Sequence, residues 1–295
     1  MPIKKRISAL RGLGLPVIFS AILFASTVPV RAADLDGAEN LYKRTSFEGS
    51  LALLDKHTTN PETNFLIGRD YYMLADFKKA ADYLQKSADE QPNSEIMDWL
   101  GRAYGKRAQL ANPLMAPSLA SKARQAFERA VELDGNNREA LSDLFEYYLN
   151  APSFLGGGYQ KASTVASRMT PVDPSEAYSA EAKLAQKHRQ YGIAEEHLRQ
   201  AVAVAPHQVG RLIDLAKFLA KEGRTSESDA VFAQAEKVDP NAPKLWFARA
   251  DVLIQQKRDI AQARTLLEKY VNAPITVNDP PREEALRLLK EVGGA

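Results

Sequence analysis

A period of about thirty-four residues is the feature that most constrains what this chain can fold into. It is clearest in residues 209–242, where the apolar pattern fits two short antiparallel helices. Leu212 and Leu219 lie on one face of the first helix, Gly223 falls in the turn, and Pro240 stops the second helix. The pattern recurs before and after this segment, which predicts an array of stacked helix pairs.

The period divides the chain into six units with an atypical segment at each end. The six units are residues 61–93, 94–137, 138–174, 175–208, 209–242 and 243–276. Residues 33–60 indicate a degenerate first repeat, because a terminal repeat lacks a neighbour on one side. Residues 277–295 indicate a capping helix, and the residues expected to face inward on it are Ala285, Leu286, Leu288 and Leu289.

Two consecutive units are longer than the period. In the first, Gly101 and Ala123 are twenty-two residues apart where the period needs twelve, so about ten extra residues are expected in an enlarged turn at 105–122. In the next unit the extra residues fall at 150–158. Because both turns connect equivalent helices, we expect them to lie together on one edge of the array.

The second enlarged turn contains a candidate site. Phe154 and Leu155 would add an apolar surface there, and the backbone N–H groups of Gly156, Gly157 and Gly158 would face an anion. The alternative interpretation is a packed turn in which Phe154 and Leu155 cover the edge of the core.

The residues at fixed positions of the period resemble the tetratricopeptide repeat, which has a small residue at position 8 and alanine at positions 20 and 27. The matches include Gly68, Tyr71, Ala80, Leu84, Pro92, Gly101, Tyr104, Ala123, Phe127, Ala130, Ala194, Leu198, Ala201, Pro206, Ala216, Phe232, Ala235 and Pro240. The resemblance implies an all-α fold, an α-solenoid in which helix-turn-helix units form a right-handed superhelix. It also implies a concave face, built mainly by the first helix of each unit, that binds peptides or partner proteins.

Basic residues recur at positions 9 and 13 of the first helices, one helical turn apart and on one face. Like charges at this spacing destabilise a helix by ~0.2–0.5 kcal/mol per pair, which favours a functional origin. The predicted groove residues for an acidic peptide or carboxylate terminus are Arg69, Arg102, Lys106, Lys183, Lys187, Lys217 and Lys221, with Tyr72 in apolar contact. The alternative is that lysines near helix ends complement the helix dipole, and Glu146 and Asp251 interrupt the basic series.

The first thirty-two residues have the pattern of a cleaved signal peptide. Four basic residues precede an apolar run at 13–28, and Val30-Arg31-Ala32 places small residues where a signal peptidase needs them. We predict cleavage after Ala32 and a periplasmic or secreted chain. Removal of five basic residues changes the formal balance from 39 − 37 = +2 to 34 − 37 = −3, so bulk charge does not indicate nucleic acid. No later segment is apolar enough to predict a membrane span.

The residue types also limit the chemistry. The absence of cysteine excludes disulfides and thiolate metal sites, and the four histidines lack metal-ligand spacing. We expect no catalytic set, metal or cofactor. The sequence therefore favours an exported, non-enzymatic scaffold that binds another protein or a peptide. Two alternatives remain: an enzyme or ligand-binding protein with a site at the enlarged turns, and a structural subunit that associates with itself.

Overall fold

A computed structural model describes residues 32–276 and 279–293, and every regular element in these two ranges is helical. The fifteen α-helices are α1 (Ala32–Lys43), α2 (Phe47–Leu53), α3 (Pro61–Met73), α4 (Phe77–Glu90), α5 (Ser94–Leu110), α6 (Ala116–Leu133), α7 (Arg138–Asn150), α8 (Tyr159–Met169), α9 (Pro174–Lys187), α10 (Tyr191–Val204), α11 (Val209–Lys221), α12 (Thr225–Val238), α13 (Pro243–Gln255), α14 (Ile260–Val271) and α15 (Arg282–Gly293). A short 3₁₀ helix, Ser153–Leu155, lies between α7 and α8. The all-α prediction is confirmed.

Side-chain caps define where the first helices of four repeats begin. Asn60, Asn93, Asn137 and Asp173 precede α3, α5, α7 and α9, and each accepts a hydrogen bond from the backbone N–H three residues later. A cap of this kind stabilises a helix by about 1 kcal/mol. The same device at the same place in successive repeats sets a common starting point for helices that must lie side by side.

Small residues let the two helices of a repeat approach closely. A Cβ atom at Gly68 would lie 2.6 Å from Cγ of Leu84, and one at Gly101 would lie 2.5 Å from Cδ1 of Phe127. Both distances are well below the ~3.5–4.0 Å of a normal carbon–carbon contact. In these two repeats, glycine at position 8 is therefore required by the packing of the partner helix.

The spacing of helices between repeats shows which side of the array is concave. Each first helix from α1 to α13 has Cα atoms within 8 Å of the next odd-numbered helix, whereas no two even-numbered helices in the described ranges approach this closely. The odd-numbered helices therefore lie on the inner side of the curve. This arrangement confirms the α-solenoid.

The enlarged turn predicted at 105–122 is wrong, because the extra residues extend both helices instead. α5 has 17 residues and α6 has 18, compared with 13 and 14 in α11 and α12. Only residues 111–115 connect them. α5 continues through Gly105 to Leu110. Pro117 stands in the first turn of α6, where its missing N–H has no intrahelical partner to lose.

The C-terminal helix α15 packs against α13 and α14. Ala285, Leu288 and Val292 are buried on it and Leu289 is partly buried, but Leu286 is 49% exposed. The inward orientation expected for Leu286 is wrong, because Leu288 and Val292 define a stripe that Leu286 lies outside.

The signal-peptide prediction concerns residues 1–32, of which all but Ala32 lie outside the described residues, so it stays a prediction. Across residues 32–276 and 279–293, no helix has the length and hydropathy needed to cross a bilayer.

Candidate functional site

Ion pairs connect successive first helices along the concave face. Arg102 on α5 pairs with Asp143 on α7, Lys183 on α9 pairs with Glu146 on α7, and Arg211 on α11 pairs with Glu176 on α9. Lys217 on α11 lies 3.2 Å from Asp251 on α13. Several of the basic residues predicted to bind a ligand are therefore already matched with a carboxylate of the neighbouring repeat.

Glu146 and Asp251, which interrupt the basic series in the sequence, are its ion-pair partners in the structure. Both stand at position 9 of their repeats, as Lys183 and Lys217 do, so residues at this position face each other across adjacent first helices. Each of these two acidic residues is followed or preceded by a lysine at position 9 of the adjacent repeat, and this reversal of charge was the signal in the sequence that could have identified the pairs.

Arg69 is held by aromatic rings and is not open to a ligand. Its guanidinium lies 4.0 Å from the ring centroid of Tyr42 and 5.5 Å from that of Trp99, and it pairs with Glu39 at 3.8 Å. Its side chain is only 13% exposed. Stacking of a cation on aromatic faces stabilises this end of the array, where α1, α3 and α5 meet.

Lys106, Lys187 and Lys221 have a different environment from the paired basic residues. All three occupy position 13, are exposed, and have no carboxylate within 4 Å among the described residues. The predicted basic series therefore separates into a paired set at position 9 and an unpaired set at position 13. Only the second set has charge available for a partner.

A cavity of about 680 Å³ lies between α5, α6, α7 and the 3₁₀ helix. Its wall brings together residues from both predicted sites: Tyr72, Arg102, Lys106, Phe154 and Leu155. Small side chains of α5 and α6 and the rings of Phe127 and Tyr147 complete most of the surface. The lining of the cavity is mainly apolar.

A buried group of charges lies beside this cavity. Arg102 contacts Asp98 at 2.9 Å and also pairs with Asp143. Burial raises the pKa of both carboxyl groups, and their proximity adds to the rise for Asp98. Burial also raises the pKa of Tyr72 to about 12, so its hydroxyl remains protonated at neutral pH. The guanidinium of Arg102 is thus occupied by two acids.

Two smaller cavities continue the groove toward the C-terminal repeats. One, of about 430 Å³, is lined by Lys183, Lys187 and Lys221 together with Glu146. The next, of about 330 Å³, shares Lys183 and Lys221 and adds Lys217. Lys187 and Lys221 come from different repeats, so the solenoid concentrates their charge in one place.

The glycine triplet does not form an anion site. The N–H of Gly156 donates to the carbonyl of Ser153, that of Gly157 to Pro152, and that of Gly158 to Tyr148. All three donors are used within the turn, so the anion hypothesis is wrong. The glycines are needed for conformation, since Gly156 has φ +87° and Gly158 has φ +142°.

Phe154 and Leu155 lie at the cavity wall and not over the edge of the core. The hydroxyl of Tyr147 donates a hydrogen bond to the carbonyl of Leu155 at 2.9 Å, which fixes the 3₁₀ helix against α7. The side chain of Phe154 is 80% exposed. Among the described residues, no group of three or more histidine, aspartate or glutamate side chains is placed to hold a metal ion.

No protein-family model matches this chain, and no curated protein matches it. Several solved structures are similar to it. One is a thermophilic TPR protein of Thermus thermophilus, with 18% identity, coverage of 63% of this chain and 97% of that chain, and a TM-score of 0.52. Another is a tetratricopeptide repeat protein of Parabacteroides merdae, with 12% identity, coverage of 88% and 98%, and a TM-score of 0.57. Together with the helix pairs described above, these similarities show that the chain has the fold of the tetratricopeptide repeat proteins.

Proposed function

We propose that this protein is a non-catalytic scaffold that binds an acidic segment of a partner protein in its concave groove. The observation that carries the proposal is the shared cavity of Lys187 and Lys221, two exposed lysines of different repeats with no carboxylate partner in the described ranges. A groove of this shape exposes first-helix side chains to an extended chain, and unpaired cations favour a segment that contains aspartate or glutamate.

The paired residues have a supporting role in this proposal. Lys183 and Lys217 line the same cavities but are matched by Glu146 and Asp251. Because an exposed ion pair is worth only ~0–1 kcal/mol, a partner carboxylate could exchange with either acid at small energetic expense. The unpaired lysines should therefore govern affinity, and the paired ones should keep the helices in register.

The experiment measures binding of a fluorescein-labelled decaglutamate peptide, with decaglutamine as the uncharged comparison. We expect the double substitution Lys187→Glu and Lys221→Glu to weaken decaglutamate binding by about tenfold or more, since two attractive charges become repulsive. The matched control is Lys237→Glu with Lys290→Glu, which makes the same change in net charge at exposed lysines outside the groove.

Equal loss in both double variants would contradict the proposal, because it would mean that the peptide responds to net charge and not to the groove. Binding of decaglutamine as tightly as decaglutamate would contradict it as well. Light scattering of the same samples tests self-association: a monomer at the concentrations used would count against a self-associating structural subunit. Turnover of any substrate in a broad hydrolase panel would contradict the non-catalytic assignment.

We also propose that the scaffold works after export, as a periplasmic or secreted protein. The support is the basic and apolar pattern that precedes Ala32 in the sequence. N-terminal sequencing of the protein recovered from the extracytoplasmic fraction should give a chain that begins at Ala33. Recovery of an unprocessed chain from the cytoplasm would contradict this part of the proposal.

A further inference from the structure

The 680 Å³ cavity exists because one repeat is longer than its neighbours. α5 and α6 each have about four residues more than the helices of the 209–242 repeat. At 1.5 Å per residue they project by about 6 Å. The next repeat meets this projection with the 3₁₀ helix Ser153–Leu155 and not with a full α-helix, which leaves a space between them.

The residues on the projecting wall do not fill this space. Gly105 and Ala108 on α5, and Ala116 and Ala120 on α6, line the cavity with at most one side-chain carbon each. A Cβ atom at Gly105 would meet nothing within 4 Å. The volume lies within the ~300–1,000 Å³ that small-molecule sites usually have, and a mostly apolar lining with a few polar groups is typical of them.

The opposite wall contains an apolar part that is already ordered. Tyr147 and Leu155 are joined by their hydrogen bond, and Phe154 next to them exposes 80% of its surface at the rim. When a ligand covers exposed apolar surface, removal of that surface from water makes binding more favourable. The ligand should therefore have an apolar body.

The charges on the cavity wall determine what the rest of the ligand should be. Arg102 pairs with Asp98 and Asp143, and Glu146 pairs with Lys183. Lys106 is the only charged residue lining this cavity that has no ion-pair partner among the described residues. A single anionic group would match it, whereas a cation would meet only carboxylates that are already paired.

We propose that this cavity is a binding site for a small amphiphile with one anionic head group and an apolar body, such as a medium-chain carboxylate. The apolar body occupies the space between the alanine-lined wall and the rings of Tyr147 and Phe154. The carboxylate accepts a charge-assisted hydrogen bond from Nζ of Lys106. The site adjoins the cavity of Lys187 and Lys221 and shares Glu146 and Asn150 with it, but Lys106 does not line that cavity and the two lysines do not line this one. The proposal therefore does not rest on the binding of an acidic protein segment.

The experiment measures binding of decanoate to the full chain by titration calorimetry, below the concentration at which decanoate forms micelles. Decan-1-ol and decyltrimethylammonium, with the same apolar chain and a neutral or cationic head, are the comparison ligands. We expect saturable binding of one decanoate per chain, with decanol weaker by about tenfold and the cation weaker again. No saturable binding at millimolar decanoate, or equal affinity for all three compounds, would overturn the proposal.

Two variants locate the ligand. Lys106→Gln should weaken decanoate by about tenfold and leave decanol unchanged, because only the head-group contact is lost. Its matched control is Lys221→Gln, which alters the same repeat position outside this cavity. Ala120→Trp should weaken both ligands by about tenfold or more, because the indole occupies the apolar space.

Circular dichroism establishes that the Ala120→Trp protein is folded, and Lys106→Gln tests the proposal independently because Lys106 is an exposed residue. Unchanged decanoate affinity in Lys106→Gln would exclude the head-group contact. Unchanged affinity in a folded Ala120→Trp protein would place the ligand elsewhere. Either result would overturn the assignment without bearing on decaglutamate binding in the neighbouring cavity.

Discussion

Addition of one methyl group at Gly101 should destabilise the central repeats, while the same change four residues later should not. In α5, a Cβ atom at Gly101 would lie 2.5 Å and 2.6 Å from two ring carbons of the buried Phe127. A Cβ atom at Gly105 in the same helix would have no neighbour within 4 Å. Both substitutions to alanine gain the same helix propensity, ~0.5–1 kcal/mol.

The magnitude follows from the difference between the two sites. Insertion of a methyl group into a packed core typically destabilises a protein by ~1–3 kcal/mol, because the neighbouring side chain must leave its preferred rotamer. Gly101→Ala combines the loss of stability from poor packing with the gain from helix propensity, whereas Gly105→Ala has only the gain from helix propensity. We therefore expect Gly101→Ala to be less stable than Gly105→Ala by ~1–3 kcal/mol.

Tryptophan fluorescence provides a local assay. The chain has two tryptophans, and Trp99 is buried on α5 close to both glycines. In a Trp246→Phe background, Trp99 alone reports the urea-induced unfolding of this helix. Equal unfolding midpoints for the two alanine variants would refute the close approach of α5 and α6, and with it the packing reason for glycine at position 8.

Two further predictions concern buried groups. Asp70 is fully buried, and burial raises its pKa to about 7, so the folded state keeps a proton that the unfolded state releases near pH 4. The free energy of unfolding should therefore fall by up to ~1.4 kcal/mol per pH unit between about pH 4 and 7 and level off above. Asp70→Asn should remove this fall in urea titrations at several pH values. Persistence of this pH dependence in Asp70→Asn would contradict the assignment. Gly157→Ala should destabilise the protein by more than ~1–3 kcal/mol, because its Cβ would lie 1.9 Å from the carbonyl oxygen of Ala151; a thermal midpoint equal to that of the unsubstituted protein would exclude this turn geometry.

The sequence was sufficient to predict the array, because the required contacts recur at a fixed spacing. Gly68 and Gly101 each allow the second helix of their own repeat to pack closely. Their spacing in the sequence identifies the repeat without knowledge of the rest of the fold. The extension of α5 and α6 could not be predicted in the same way. Pro113 and Pro117 suggest a long turn, but Pro117 occupies the first turn of a helix, where proline is tolerated.

The candidate site was only partly predictable, for a physical reason. The sequence shows which residues carry charge, but ion pairing depends on which residues of the next repeat face them. Lys183 and Lys187 are equivalent in a helical-face analysis, yet only Lys183 reaches Glu146. Likewise, Gly157 is a candidate donor to an anion until the carbonyl that accepts its N–H is known.

The ion pairs between first helices also limit how this array can gain or lose repeats in evolution. Deletion of residues 138–174 would place α9 beside α5, so that Ala180 would replace Asp143 as the residue opposite Arg102. Deletion of residues 209–242 would instead bring Lys183 beside Asp251, which preserves an attractive pair. Repeat proteins are built from whole units that each contact only their neighbours, but the charge pattern here makes the units non-interchangeable. The number of repeats is thus constrained by local electrostatics at those boundaries where a deletion would separate an ion pair.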